Sequence, residues 1–193
     1  MAPRSYQMEK RAEGAESTRR RIVEATLQLH AERGVVATSH KDVAERADVS
    51  VGTVYHHFPT LDSIVRACGA HVRELHPLPS PDIIDGDAPR RKRIETAMRE
   101  LVASYASMPW LEKLRSERSA VPALDVGISM REQAVARVIR KALGATTPAK
   151  VAVVAAIIDP AVVNRLLESG MSPQKAAKTL AAIVNSWLEG EDQ

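Results

Sequence analysis

Residues 50–58 read Ser50-Val51-Gly52-Thr53-Val54-Tyr55-His56-His57-Phe58. Taken as a helix advancing about 100° per residue, the stretch places Val51, Val54 and Phe58 on one side, the spacing of a buried stripe. Gly52, Thr53 and His56 then point the opposite way, with Tyr55 and His57 on the two flanks. An ordinary surface helix carries Lys, Glu or Arg on its outer face; this one is small and bare between two polar rims. Small residues permit close approach, and Thr meets a base edge through hydroxyl or methyl. Tyr and His hydrogen-bond phosphate oxygens. The pattern predicts a DNA recognition helix, with Thr53 and His56 towards bases and Tyr55 and His57 towards the backbone.

The residues before it fit. Ser39 with Asp42 three positions on is the Ser/Thr-x-x-acid start of a helix. Val43, Ala44 and Ala47 give that helix an apolar edge. Ala47-Asp48-Val49 then makes a short turn before Ser50 caps the next helix. Two short helices joined in this way make a helix-turn-helix; the blander alternative is a helical hairpin inside a bundle.

The stretch Ile22 to Val65 resembles the N-terminal domain of the tetracycline-repressor (TetR) family. The residues carrying the resemblance are Ile22, Ala25, Leu29, Gly34, Thr38-Ser39, Asp42-Val43-Ala44, Ala47, Val49-Ser50, Gly52, Val54-Tyr55 and His57-Phe58. It implies an all-α homodimer of about nine helices, whose N-terminal three-helix domains grip a pseudo-palindromic operator in double-stranded DNA. It also implies a larger C-terminal domain that binds a small molecule and thereby releases the DNA.

On that pattern the DNA face comprises Thr38, Ser39, His40, Lys41, Ser50, Val51, Gly52, Thr53, Tyr55, His56, His57 and Thr60. The family's pocket, enclosed by helices four to eight, has His71, Met98, Tyr105, Met108, Trp110, Leu114 and Met130 as candidate linings, although each alone also suits plain core packing. Four positions depart from the family pattern. Asp48 replaces the usual turn Gly, a tolerable change because Asp enters the left-handed region. His30 replaces a Phe and His40 an apolar residue, so the small core is more polar. Leu61 replaces a phosphate-holding Lys, which predicts a shallower salt dependence.

Composition sets the frame for the rest. At 193 residues the chain is long enough for a sizeable core in one or two domains. Two Trp, three Tyr and one Phe leave the core to Ala, Val, Leu and Ile, as in a helix bundle. The net charge is +3, so electrostatics permits nucleic-acid binding without arguing for it. A single cysteine, Cys68, excludes an internal disulfide framework. No apolar run approaches the ~20 residues of a membrane span, nor is there a signal-peptide core, so the expectation is a cytoplasmic protein with no membrane partner.

Along the chain, residues 1–16 read as a flexible arm in which Arg4, Lys10 and Arg11 brush DNA or do nothing. Residues 17–66 read as the DNA-binding domain and 67–193 as the ligand-binding and dimerisation domain. Ser17 or Thr18 is expected to cap the first helix, placing Arg19, Arg20 and Arg21 in opening turns where an anionic partner would offset the helix dipole. Thr60 caps a fourth helix to about Leu75, with a stripe of Leu61, Ile64, Val65, Cys68, Val72 and Leu75. A loop rich in prolines follows over 76–89, then a helix from Pro89 to about Ser107 whose opening run Arg90 to Arg93 reads as solvated. Pro109 opens another helix, Pro122 breaks the chain, and Ile128 to Leu143 forms the next.

Thr147-Pro148 and Ser172-Pro173 each start a helix, one to about 170 and one to about 189. Their apolar positions exceed one stripe, which points to a four-helix interface between two copies. Pro160 falls inside the first and predicts a kink.

Two other function classes remain open from sequence. Cys68-x-x-His71, with His76 beyond, spaces soft ligands on one helical face, so control by metal, thiol chemistry or a protein partner is the alternative to an organic ligand. An all-helical enzyme is the third, but no Gly-x-Ser-x-Gly elbow, phosphate-cradling Gly loop or His-Glu-x-x-His occurs. The expectation is no catalytic residues, no resident metal and no cofactor.

Overall fold

The structure, a computed structural model, describes residues 4–191. Among these it contains ten α-helices, two short 3₁₀ turns and no strand, the all-α class expected. The chain packs as two units: residues 1–75 with 113–127, and residues 76–112 with 128–193.

The first unit opens with α1 (Arg4–Arg33). Helical structure therefore begins well before Ser17, and the stretch read as an arm is helical from Arg4 onward; Met1 to Pro3 and the Arg4 side chain lie outside the described residues. Thr18 does not cap a terminus: its hydroxyl donates to the Gly14 carbonyl one turn back. Arg19, Arg20 and Arg21 consequently sit mid-helix, away from any exposed N-terminal dipole. Ile22, Val23, Ala25 and Leu29 are buried along the inner face, as the apolar spacing requires. Gly34 ends the helix at φ +94°, its amide bonded to the His30 carbonyl at 2.9 Å.

The next three helices are α2 (His40–Arg46), α3 (Val51–His57) and α4 (Leu61–Leu75). The capping box at α2 forms in full, Ser39 and Asp42 exchanging side-chain and backbone bonds. These bonds, with Arg33 beside it, hold the Asp42 carboxyl down at about 2. Asp48 takes φ +51° in the turn, the left-handed state anticipated at this position. The Val49 amide closes the turn on the Ala44 carbonyl at 3.0 Å, and the Ser50 hydroxyl then caps α3 through the Thr53 amide. In α4, Ile64, Val65 and Cys68 are buried, whereas Leu75 at its end is exposed and leaves the expected stripe.

Residues 113–127 return to this unit as part of α6 (Leu111–Ser116), a 3₁₀ turn and the start of α7 (Pro122–Leu143). Their anchors are polar. Lys113 Nζ donates to the Glu32 carbonyl at 2.8 Å, and Asp62 accepts the Ala123 amide at 2.9 Å. The compact unit so formed takes in residues on both sides of the 17–66 span. Pro122 does not break α7 but opens it, at the first helical position, where no amide hydrogen is needed.

The second unit is built on α5 (Arg90–Ala106), which packs most extensively on α10 (Pro173–Glu191). The remainder of α7, α8 (Pro148–Ile157) and α9 (Pro160–Glu168) complete it. Met98, Leu101, Val102, Ala134, Val138, Ile139, Val163, Ala176 and Val184 fill its centre. Pro160 does more than kink one helix. It starts a new one, because Asp159 caps it through the Ala161 amide at 2.9 Å. Arg93, expected to be solvated, ties the loop to α7 instead: Nη1 donates to the Gly86 and Ala88 carbonyls and Nε to the Ala142 carbonyl.

Candidate nucleic-acid interface

The candidate surface is α3, held by the residues beneath it. Val54 and Phe58 are fully buried. Val51 is not: it is 40% exposed, because it lies about 60° around the helix from Val54 and occupies the first helical position, at the margin of the stripe. Its place is on the outer side with Gly52, Tyr55 and His56, all exposed, while Thr53 and His57 are half-buried. The Thr53 hydroxyl lies 2.8 Å from the Ser50 hydroxyl and keeps further hydrogen-bonding capacity beside its methyl group. Burial, then the neighbouring His56 and Arg19, push the His57 pKa down, favouring a neutral ring that offers one N–H donor.

His40 has a different part from the one the sequence suggested. Its ring lies against the Tyr55 ring, and Nε2 donates to the Phe58 carbonyl at 3.0 Å, so it joins α2 to the flank and the end of α3. It positions Tyr55 rather than standing free. Thr38 is buried, with its hydroxyl donating to the Gly34 carbonyl at 2.7 Å. Ser39 and Thr60 are exposed, but their hydroxyls cap α2 and α4. Lys41 and Ser50 are exposed beside α3. Arg19 stacks over the Phe58 ring at 4.9 Å and Arg20 pairs with Glu24 at 2.9 Å, while Arg21 is exposed.

One residue that steadies this surface gave no local sequence signal. Glu117 accepts the Val35 and Val36 amides, at 2.5 and 3.2 Å, and so fixes the link between α1 and α2. A Cβ added to Gly34 would collide with the Glu117 carboxylate, a second reason for glycine there. Partners more than 80 residues apart are not readable from spacing.

A capped helix-turn-helix with a bare outer face thus stands on a rigid apolar base. Residues 22–68 match the family model described as "Bacterial regulatory proteins, tetR family". Residues 22–68 are a TetR-family N-terminal domain. It is 38% identical over 86 residues to the HTH-type transcriptional repressor Rv3405c of Mycobacterium tuberculosis, covering 42% of this chain and 46% of that protein. The chain therefore spans about half the length of the curated relatives it matches. The fold is shared more widely. A transcriptional regulator from Rhodococcus sp. Rha1 superposes with a TM-score of 0.65 at 19% identity, covering 89% of this chain and 96% of that one. The multidrug binding protein EbrR, complexed with proflavin, gives 0.56 at 21% identity, covering 88% and 98%.

Outside the TetR-like segment, the seven candidate pocket residues divide between the units. His71 and Leu114 lie in the first; Met98, Tyr105, Met108, Trp110 and Met130 lie in the second. Met98 and Met108 are deep in the core, and Met130 is 40% exposed. His71 lines an open cleft of about 390 Å³ between α1 and α4, with Arg19, Val23, Ala67 and Ala70, and its Nδ1 lies 3.3 Å from Glu74. Cys68 is buried, its thiol facing the Val23 carbonyl and pushed up to about 12 by desolvation, the reverse of a reactive thiolate. Among the described residues no three His, Cys, Asp or Glu side chains converge as metal ligands, and no helix is long and apolar enough to cross a membrane.

Proposed function

We propose that this chain is a transcriptional repressor that binds duplex DNA through α3 and lets go when a small molecule occupies its helical second unit. The observation that carries the first half is the face of α3: Gly52, Tyr55 and His56 exposed over a buried Val54 and Phe58. Thr53 and His56 address base edges, Tyr55 and His57 the phosphates, with Lys41 and Ser50 alongside. A repressor among the sequence relatives supports the same reading. Support for the second half comes from the EbrR protein, of like fold, crystallised with a bound small molecule.

The working form is a homodimer through α8, α9 and α10. Val153, Val162 and Ile183, one on each of these helices, are large apolar residues left exposed. A second copy covering them would place two α3 helices on a pseudo-palindrome. Selection of bound duplexes from a random pool, followed by footprinting, tests this. Two half-sites centred about 34–36 Å apart, or a multiple, are expected; protection of a single unsymmetrical half-site contradicts the dimer.

A further inference from the structure

Within the second unit, Arg131 on α7 is only 7% exposed. Its Nη1 donates to the Ser104 hydroxyl at 3.2 Å and its Nη2 to the His76 carbonyl at 2.9 Å. Both partners are neutral. Among the described residues no carboxylate bonds or pairs with it, and two of a guanidinium's five donors are in use. A buried cation without a counter-charge is costly, which is why such groups are normally paired. Burial pulls the Arg131 pKa down, but an arginine side chain keeps its proton in proteins.

The surroundings add polarity without supplying charge. His76 Nδ1 lies 3.1 Å from the Ser107 hydroxyl, which donates to the Ser104 carbonyl at 2.8 Å. His76 therefore offers its Nδ1–H to Ser107. Its own pKa is lowered by burial and then by Arg131, so it brings no compensating anion. The His76 ring meets Trp110 edge-on at 6.2 Å, and Tyr105 on α5 acts electrostatically on the guanidinium.

We infer that Arg131 is the anchor for an organic anion: a small carboxylic acid whose carboxylate takes the unused guanidinium donors and whose apolar or planar body meets Tyr105 and Trp110. Arg suits the task because its flat fork matches a carboxylate at two points. The reading deepens the ligand-responsive function proposed above and rests on it, since it names the chemical class of the ligand.

The test uses the full chain and defined probes: benzoate and octanoate, their neutral counterparts benzamide and octanol, and proflavin. Calorimetric titration and thermal melting at constant ionic strength are run on wild type, Arg131→Lys and Arg131→Met. Met removes the buried charge but leaves the Ser104 hydroxyl and the His76 carbonyl without this donor, so the melting curves and Arg131→Lys show whether the fold is kept. At least one acid is expected to bind wild type tenfold or more tighter than its neutral counterpart. Arg131→Met should lose that preference and Arg131→Lys keep part of it. Equal affinity for acid and neutral probe, a preference for proflavin, no binding of either acid, or undiminished acid binding by Arg131→Met each overturns the inference. Release of DNA by proflavin or octanol while the acids do nothing would leave the ligand-responsive reading standing and remove the anion. Acid binding through Arg131 with unchanged DNA affinity would do the reverse.

Discussion

The imidazole of His40 lies flat on the phenol ring of Tyr55, centroids 4.4 Å apart and planes 4° from parallel. With the bond from His40 Nε2 to the Phe58 carbonyl, this stack fixes where the Tyr55 hydroxyl points. His40→Ala should therefore cost about 1–2 kcal/mol of stability, for the missing stack and the unbonded carbonyl. Tyr55→Phe keeps the stack and should leave stability within about 0.5 kcal/mol, while weakening binding to every duplex by about 1 kcal/mol. Urea unfolding and fluorescence anisotropy on two unrelated duplexes separate these effects.

Glu117 is a positioning residue for the same unit. Glu117→Ala strands the amide of buried Val35, leaves that of exposed Val36 to water, and should cost about 1–3 kcal/mol. Glu117→Gln keeps an acceptor oxygen and should recover part of that. Chemical denaturation of the three proteins at neutral pH gives the ranking; an Ala variant as stable as wild type would show the clamp to be dispensable.

His30 sets a pH dependence. It is 3% exposed, its Nε2 has no partner, and burial holds its pKa at about 4, Glu117 opposing only in part. The unfolded chain binds a proton near 6.5 and the folded one does not until about 4, so stability is full above 6.5 and falls as pH drops through this window. The loss by pH 4 is on the order of 3 kcal/mol. His30→Leu should flatten the profile between pH 6.5 and 4, measured as the urea midpoint against pH.

Cys68 separates an organic-ligand switch from a thiol switch. Held at about 12 in the core, it should resist iodoacetamide and mild peroxide in the native protein and react after denaturation. DNA affinity should be the same before and after peroxide. Loss of binding that Cys68→Ser prevents would favour thiol control.

Much of this molecule is written locally. The box of Ser39 and Asp42, the left-handed Asp48, the cap at Ser50 and the Thr147-Pro148 start are short-range chemistry, and each is where spacing put it. What spacing missed was decided by partners far along the chain. Residues 113–127 return to the first unit through Lys113, Glu117 and Ala123, each meeting a residue more than 60 positions away. Val51 sits at the margin of a three-residue stripe, where one periodic angle decides little. Thr38 and His40 look like surface polar residues, but their hydrogen bonds go to the Gly34 and Phe58 carbonyls. Pro160 separates two helices because Asp159 before it supplies a cap, a combination whose outcome turned on packing.

The outer face of α3 as a reader of base sequence is tested most directly by one comparison. Thr53→Ala, His56→Ala, Tyr55→Phe and His57→Ala are titrated against a selected duplex and a scrambled one of equal length and salt. The first two should narrow the affinity ratio between the duplexes, by about 1–3 kcal/mol for each base edge the side chain no longer meets, while the last two weaken both duplexes alike. If all four leave the ratio untouched, α3 does not read bases.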